Sequence, residues 1–366
     1  MERNKKVSVV IPTKNRSFFL RKTLEYYSLT NFEHQIVIGD ASDESFSLAN
    51  QNEIKKHPEL AISYIKFNPD KRITHSMVEM LEKVNTDYSL FSGDDDFFVG
   101  SSLSKCADFL DKNPDYSAAC GEPAWLYLKS VAEDVVEPIY LKRGPTIGLD
   151  GNKPSVRLMT YMSPSPLITT FSLQRTSGIL YAWKHASEIN LDLNRHYLPL
   201  HEISVNVIQI IQGKLKLIPG LYHLMLRHND KKHDSQGVDD YFDKVLNWDW
   251  NHHVRGMIEW WAKQFSQAEG LAYEKSFHFM SALFIRFSNE MLGRYSKRRI
   301  KELGFEKNNP AYKKQMRDYL IKVPGLQKAW LRYKGIQQFN LDNFLDPKSR
   351  FYNDFYPMYQ TLFLNK

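Results

Sequence analysis

Short runs of strand-forming residues alternate with stretches of helical periodicity along the first part of the chain. The β-branched run 7–11 ends at Pro12 and is typical of a buried parallel strand. Further strands are predicted at 35–39, 62–67, 88–92 and 116–120, with helices between them, and Ser17 is the predicted cap of the first helix. This alternation predicts βαβ units. We therefore expect an α/β fold with a mostly parallel sheet flanked by helices.

The pattern changes after residue 230, where helical periodicity, aromatic residues and positive charge dominate. Residues 241–366 hold 21 Lys or Arg against 12 Asp or Glu, whereas the preceding residues hold 28 against 30. Such a contrast favours two regions with different tasks. We predict one domain over residues 1–230 and a helical, basic and aromatic C-terminal region over residues 231–366.

Cysteine and motif content argue against several classes of protein. The two cysteines, Cys106 and Cys120, indicate neither a disulfide framework nor a zinc cluster, and they fit a cytoplasmic location. No apolar run has the length of a membrane-spanning helix, and the basic start lacks the apolar stretch of a signal peptide. The absence of a Gly-x-Gly-x-x-Gly and of a Walker lysine motif disfavours a dinucleotide-binding fold and a P-loop fold.

Three consecutive carboxylates, Asp94, Asp95 and Asp96, follow the predicted strand 88–92 and Gly93. Adjacent negative charges repel one another, and a divalent metal at the carboxyl end of a strand would neutralise them. In an extended chain Asp94 and Asp96 point to one side and Asp95 to the other. The alternative interpretation is a solvated acidic turn.

The order of three segments resembles one family. The sequence reads Val-Ser-Val-Val-Ile-Pro-Thr-Lys-Asn-Arg at 7–16, Ile-Val-Ile-Gly-Asp-Ala-Ser-Asp at 36–43 and Gly-Asp-Asp-Asp at 93–96. Together these segments are similar to family 2 glycosyltransferases, which have the GT-A fold, and the resemblance covers roughly the first 230 residues. It implies Mn²⁺ or Mg²⁺ bridging the donor phosphates, with Asp94, Asp96 and His228 as candidate ligands.

The resemblance also implies which residues hold the nucleotide. Pro12 and Thr13 would line the nucleobase pocket, and Arg16 would contact phosphate or base. Asp40 would accept a hydrogen bond from a base such as uracil, the alternative being a turn residue that caps the next helix. The other candidate nucleotide contacts are Asp94, Asp95, Lys71 and Arg72; the last two stand where the family usually has a glycine-containing segment, which this sequence lacks.

An inverting transferase needs a carboxylate that takes the proton from the acceptor hydroxyl. The family places it at the start of a helix that precedes a glycine and a strand, and Glu202, in the predicted helix 201–212 before Gly213, fits. We expect the helix dipole to keep Glu202 ionised at neutral pH. The alternative is a carboxylate that only stabilises the first turn.

The resulting prediction is a metal-dependent inverting glycosyltransferase that builds surface polysaccharides or glycoconjugates. Its donor would be a nucleotide sugar, with uridine diphosphate favoured, and its acceptor a hydroxyl of a glycan or a lipid-linked glycan. The basic segment 294–334 suggests either peripheral contact with the inner face of the membrane or a surface that packs on the catalytic domain or pairs subunits as an oligomer. No motif indicates nucleic-acid binding.

Two other functions fit parts of the sequence. A non-catalytic scaffold that binds glycans or membranes could retain the same fold. A sugar nucleotidyltransferase has a similar sheet, but it normally carries a glycine-rich loop after the first strand, and residues 13–16 contain no glycine.

Overall fold

The computed structural model describes residues 6–132, 135–144, 146–162, 169–188, 198–228, 250–302 and 340–364. The strands are β1 (Val7–Thr13), β2 (Gln35–Asp40), β3 (Ala61–Lys66), β4 (Tyr88–Phe91), β5 (Asp96–Phe98), β6 (Tyr116–Ala132), β7 (Val135–Arg143), β8 (Leu173–Arg175) and β9 (Lys214–His228). The helices of the first region are α1 (Ser17–Leu29), α2 (Glu44–Ile54), α3 (Ile73–Glu82), α4 (Gly100–Lys112), α5 (Pro154–Tyr161), α6 (Thr176–Glu188) and α7 (Leu198–Gln212).

The C-terminal region is helical where the structure describes it. It contains α8 (Trp250–Glu269), α9 (Tyr273–Glu302), α10 (Leu341–Leu345), α11 (Tyr352–Tyr359) and a π-helical turn (Gln360–Leu364). None of the helices that the structure describes has an apolar stretch of the length that would span a membrane.

The strands form one mixed sheet in the order β3-β2-β1-β4-β8-β6-β9-β5, with β7 paired to β6. β3, β2, β1 and β4 are mutually parallel, and β8 runs antiparallel to both β4 and β6. The carboxyl ends of β1, β2 and β4 therefore lie at one edge of the sheet, which is where α/β folds bind ligands. The predicted α/β architecture with a helical C-terminal region is confirmed.

Apolar cores lie on both faces of this sheet. In β1, Val7, Val9 and Ile11 join one hydrophobic cluster, whereas Val10 joins the other. A strand that is buried on both faces reads as a continuous apolar run, which explains the β-branched sequence of β1. These cores fix the strand ends that carry the candidate site.

The starts of two predicted helices differ from the structure. Ser17 is the first residue of α1 rather than its cap, because Arg16 occupies the cap position without a capping side chain. α7 begins at Leu198, before the predicted start. β9 is one long strand in which Gly220 has a φ of +128° and the pairing with β6 is irregular. This local distortion accommodates Pro219 and Gly220 without ending the strand.

The described C-terminal helices contribute to both cores. Trp261 and Phe265 of α8 are fully buried in the cluster that contains α6 and α7. Phe344, Phe351 and Phe355 join the cluster of α1, β1 and α4. These helices pack on the first region. The boundary near residue 230 stays a prediction.

Candidate active site

The loop between β1 and α1 is fixed by a reciprocal pair of hydrogen bonds. Asn15 Nδ2 donates to Asp43 Oδ2 at 2.8 Å, and the Asp43 backbone N–H donates to Asn15 Oδ1 at 2.8 Å. Asn15 has a φ of 57°, in the left-handed region that asparagine tolerates better than most residues. The pair ties the loop after β1 to the loop after β2, and so it positions the next residue, Arg16.

Arg16 contacts two residues of the acidic triplet. Its guanidinium lies 3.3 Å from Asp94 Oδ1 and forms a close ion pair with Asp95, and it stacks over the Phe19 ring at 4.7 Å. Burial opposes the charged form of Arg16, but the negative charges of Asp94 and Asp95 outweigh burial and raise its pKa. Arg16 is therefore a permanent cation at the carboxyl edge of the sheet.

Asp94 is buried at the end of β4 and held from two sides. Its Oδ2 accepts a hydrogen bond from Thr13 Oγ1 at 2.7 Å, and its backbone carbonyl accepts one from Thr23 Oγ1 at 2.8 Å. Burial raises the pKa of Asp94 above its usual range, and the charges of Asp95 and Asp96 raise it further, although Arg16 and Thr13 act in the opposite direction.

The triplet does not alternate as an extended chain would. Asp94 and Asp95 lie in a turn, and β5 begins at Asp96. Asp95 consequently shares Arg16 with Asp94, whereas Asp96 lies apart and accepts a hydrogen bond from the Gly93 backbone N–H at 2.9 Å. The expectation that Asp94 and Asp96 face one side with Asp95 turned away is wrong, because two turn residues separate the strands.

Asp96 faces a histidine that the sequence reasoning did not single out. His223 Nε2 of β9 lies 3.1 Å from Asp96 Oδ1, and both side chains are almost completely buried. The two atoms are not aligned for a hydrogen bond, so Nε2 lacks a hydrogen-bond partner among the described residues. The imidazole stacks on Phe98 at 4.3 Å with an angle of 2° between the rings. The sequence signal for His223 was its place among the apolar residues Leu221 to Leu226 of β9.

Glu202 approaches this group from α7. It lies in the second turn of the helix, because α7 begins at Leu198. Burial raises the pKa of the Glu202 carboxyl to about 7, and the negative charge of Asp96 contributes in the same direction. The expectation that the helix dipole keeps Glu202 fully ionised at neutral pH is therefore wrong, because desolvation exceeds a dipole effect that fades beyond the first turn.

Asp40 lies at the end of β2 but is completely buried. Its Oδ1 accepts from the Ser42 backbone N–H at 2.7 Å, and its Oδ2 accepts from Asn50 Nδ2 at 2.9 Å and Tyr64 Oη at 2.8 Å. Burial opposes ionisation of Asp40, but these hydrogen bonds outweigh it and lower the pKa. A nucleobase cannot reach this carboxylate in the observed conformation. Asp40 does not cap α2 either, because Asp43 occupies the cap position, so its contacts agree with neither interpretation.

The remaining candidates lie at or near the same edge. Pro12 is the penultimate residue of β1 and pairs with Gly39 of β2. Lys71 forms an ion pair with Glu79 and lies 4.5 Å from the centre of the Phe67 ring. Arg72 is exposed at the N-terminus of α3. The side chain of His228, and most of segment 294–334, lie outside what the structure describes.

The donor atoms of this group suit a divalent metal that is shared with a phosphate ligand. The described residues contain no cluster of three or more His, Cys, Asp or Glu side chains with metal-binding geometry. Asp96 and His223 nevertheless present a carboxylate oxygen and an unpartnered buried imidazole nitrogen to each other. Mg²⁺ commonly takes one or two carboxylates together with substrate phosphates, and imidazole suits Mn²⁺. The pair therefore fits such a metal.

The model of one known protein family matches part of the chain. The model of Glycosyl transferase family 2 matches residues 8–125, which include β1, the acidic triplet and the start of β6. No curated protein matches the chain in sequence.

Two solved structures are similar to this chain at low sequence identity. S. aureus TarS 1–349 in complex with UDP-GlcNAc is 12% identical, with a TM-score of 0.48, over 98% of this chain and 90% of that one. The mannosyltransferase PcManGT from Pyrobaculum calidifontis, in complex with GDP-Man and Mn²⁺, is 11% identical, with a TM-score of 0.41, over 100% of this chain and 89% of that one. Over residues 8–125 this chain is therefore similar to family 2 glycosyltransferases.

Proposed function

We propose that this enzyme transfers a sugar, with inversion, from a nucleoside diphosphate donor to a hydroxyl of a glycan. The observation that carries the proposal is the convergence of Arg16, the acidic triplet and Glu202 at the carboxyl edge of the sheet. These groups come from β1, β4 and α7, and they supply a cation, metal-ligand oxygens and a proton acceptor in one place.

Arg16 and its neighbours would hold the donor. Transfer breaks the bond between the sugar C1 and the diphosphate oxygen, and the diphosphate leaves with the bonding electrons. Arg16 would face the growing negative charge, while Asp94 and Asp95 keep its guanidinium in place. Thr13 and Pro12 would line the nucleoside pocket, with Lys71 or Arg72 at its rim. We propose a uridine diphosphate sugar as the donor, on the basis of the sequence resemblance.

Asp96 and His223 would hold the metal, with Asp94 close by and His228 as a further candidate. A divalent metal, Mn²⁺ or Mg²⁺, would act as a Lewis acid that neutralises charge on the two phosphates. The turn at Asp94 and Asp95 directs these two residues to Arg16 and leaves Asp96 for the metal.

Glu202 would act as the general base. In a single displacement the acceptor hydroxyl attacks C1 from the face opposite the leaving diphosphate, and Glu202 accepts the hydroxyl proton. A base works best when its pKa is near the working pH, and a pKa of about 7 meets this condition. Burial tunes this carboxyl, as it tunes other catalytic carboxyls.

The acceptor would enter beside His223. A pocket there is lined by aromatic and aliphatic side chains, among them Trp125, Phe171 and Met225, together with His223 itself. Aromatic walls suit the apolar faces of sugar rings. The acceptor would be a glycan or a lipid-linked glycan in polysaccharide or glycoconjugate synthesis, with the basic C-terminal region as the candidate membrane contact.

Thermal melting against nucleoside diphosphates, with and without Mn²⁺, tests the proposal. A ligand at one hundred times its dissociation constant stabilises the folded state by about 2.7 kcal/mol. We expect uridine diphosphate to raise Tm strongly only when metal is present, and Asp96→Asn to abolish the shift. Asp108→Asn is the matched control, because Asp108 is an exposed carboxylate on α4. A shift that survives in Asp96→Asn contradicts the proposed metal site.

An assay of sugar transfer distinguishes an enzyme from a scaffold that only binds its ligands. Radiolabelled uridine diphosphate sugars, offered with a pool of glycan acceptors, should give labelled glycan with the wild type and none with Glu202→Gln. If the wild type binds nucleotide but transfers sugar to none of the acceptors, the result would instead favour the scaffold.

A further inference from the structure

A second cleft opens at the amino edge of the sheet, away from the candidate active site. It lies between α6 and α8 and includes the first residue of β6, Tyr116. Arg175, which lines it, pairs with Tyr88 at the start of β4, whereas Asp94 lies six residues further along the chain. At about 3.3 Å per residue, the cleft and the triplet are separated by up to about 20 Å. No residue assigned to sugar transfer lines this cleft.

Gln174 is an unsatisfied polar group in the wall of the cleft. Its side chain is 2% exposed, and its Nε2 has no hydrogen-bond partner among the described residues. Leaving a buried amide donor unpaired costs about 1–3 kcal/mol. Nε2 is sealed from the cleft in this conformation, and a rotation of the side chain would turn it toward a ligand that accepts a hydrogen bond and so remove this cost.

The cleft presents neutral groups that both donate and accept hydrogen bonds. Gln212 and Gln264 line it with Gln174, and Tyr181 Oη donates to Gln264 Oε1 at 2.9 Å across the gap between α6 and α8. No Asp or Glu occurs among the described residues of the lining. Arg175 donates to the backbone carbonyls of Leu110, Asn113 and Tyr116, so its guanidinium already serves the fold. Amides of this kind match sugar hydroxyls, which also donate and accept.

Aromatic rings continue from the rim of the cleft. Tyr181 is 36% exposed, and its ring centre lies 4.5 Å from that of His185. His185 in turn lies 5.0 Å from Trp260 of α8, one helical turn before Gln264. Tyrosine and tryptophan combine a flat apolar face with a polar edge, which suits the alternating CH and OH groups of a pyranose.

We propose that this cleft, lined by Gln174, Gln212, Gln264 and Tyr181, binds a neutral oligosaccharide. Its hydroxyls would accept from Gln174 Nε2 and exchange hydrogen bonds with the other two amides, and a ring would stack on Tyr181. The enzyme then binds carbohydrate at two separate places. Sugar is transferred at one of them, and an oligosaccharide stays bound at the other.

Calorimetric titration of the full chain tests this site without nucleotide or metal. The probes are maltohexaose, cellohexaose and N-acetylchitohexaose, with hexagalacturonate as the charged comparison. We expect at least one neutral probe to bind, and Gln264→Ala and Gln174→Leu each to weaken it fivefold or more. Gln267→Ala is the matched control, because Gln267 is exposed on the same helix and does not line the cleft; it should bind as the wild type does.

Melting of the Gln174→Leu variant adds a second readout. Leucine removes the unpaired amide at similar volume, so the variant should be at least as stable as the wild type while it loses affinity. Three results overturn the proposal: no binding of any neutral probe, binding that is unchanged in both glutamine variants, or tighter binding of hexagalacturonate. Because the titration contains no nucleotide, its failure leaves the transferase proposal standing.

Discussion

His223 Nε2 lies 3.1 Å from Asp96 Oδ1, and the two side chains bring β9 and β5 together in a buried contact without a hydrogen bond. Such a contact is unusual, because buried polar groups nearly always find partners. The proposed metal accounts for it, since both atoms are metal-ligand types.

His223→Gln should therefore raise the metal concentration needed for half-maximal transfer at least about tenfold. The measurement is a titration of activity with Mn²⁺ at a fixed donor concentration. His75→Gln serves as the control, because His75 is exposed on α3. An unchanged Mn²⁺ requirement in His223→Gln would exclude His223 as a ligand.

Transfer should depend on pH through Glu202. The carboxyl must be ionised to accept a proton, and its pKa is raised to about 7. We expect kcat/KM to fall tenfold per pH unit below about 7 and to level off above it. A profile that stays flat down to pH 5 would contradict the proposed base.

Glu202→Gln should lower the activity and, at high pH, raise the stability of the fold. Loss of the base lowers kcat by about 10²- to 10⁴-fold. In the wild type, the folded state binds the proton more tightly than the unfolded state, so Glu202 costs stability as pH rises through the interval from about 4.5 to about 7.

The variant should therefore melt at least about 2 °C above the wild type at pH 8 and show no advantage at pH 4. Melting curves at the two pH values measure this difference. A lower melting temperature of the variant at pH 8 would show that the ionised carboxylate is stabilised in the fold.

Removal of Arg16 should leave buried negative charge uncompensated. Arg16→Met is expected to lower the free energy of unfolding by roughly 3 kcal/mol at pH 8, in the range for breaking a buried ion pair. Adding Asp94→Asn to it should restore part of the loss. Urea denaturation of the single and double variants measures the coupling, and strictly additive effects would contradict it.

Asn15 offers a test of how the loop positions Arg16. Asn15→Ala loses the pair with Asp43 and keeps a Cβ at a φ of 57°, whereas Asn15→Gly loses the pair and also removes the Cβ. Alanine should therefore be about 1 kcal/mol less stable than glycine at this position. Both variants should raise KM for the donor, as steady-state kinetics would show. Equal stability of the alanine and glycine variants would mean that the backbone of the loop leaves the left-handed region in the alanine variant.

The sequence predicted the parts of the site that depend on strand ends. β1, β2 and β4 end where their apolar runs end, so Thr13, Asp40 and Asp94 were all expected at one edge, and all lie there. What each side chain does there depends on contacts between distant segments. Asp40 binds Asn50 and Tyr64, and the turn after Asp94 changes which carboxylates share Arg16.

His223 and the pKa of Glu202 escaped prediction for the same physical reason. The pairing of β5 with β9 joins residues more than 120 positions apart, and no local periodicity encodes it. Likewise, the sequence predicted Glu202 as a first-turn carboxylate, whereas tertiary packing partly buries it near the negative charge of Asp96.

The aromatic side chains of α10 and α11 complete the core that α1 and β1 begin. During synthesis, the apolar surface of the catalytic region therefore stays uncovered until residues 340–364 leave the ribosome. A chain that stalls after the acidic triplet and α7 has every proposed catalytic residue and still exposes the surface that Phe344, Phe351 and Phe355 cover. Such a chain is thus expected to bind chaperones until residues 340–364 are made.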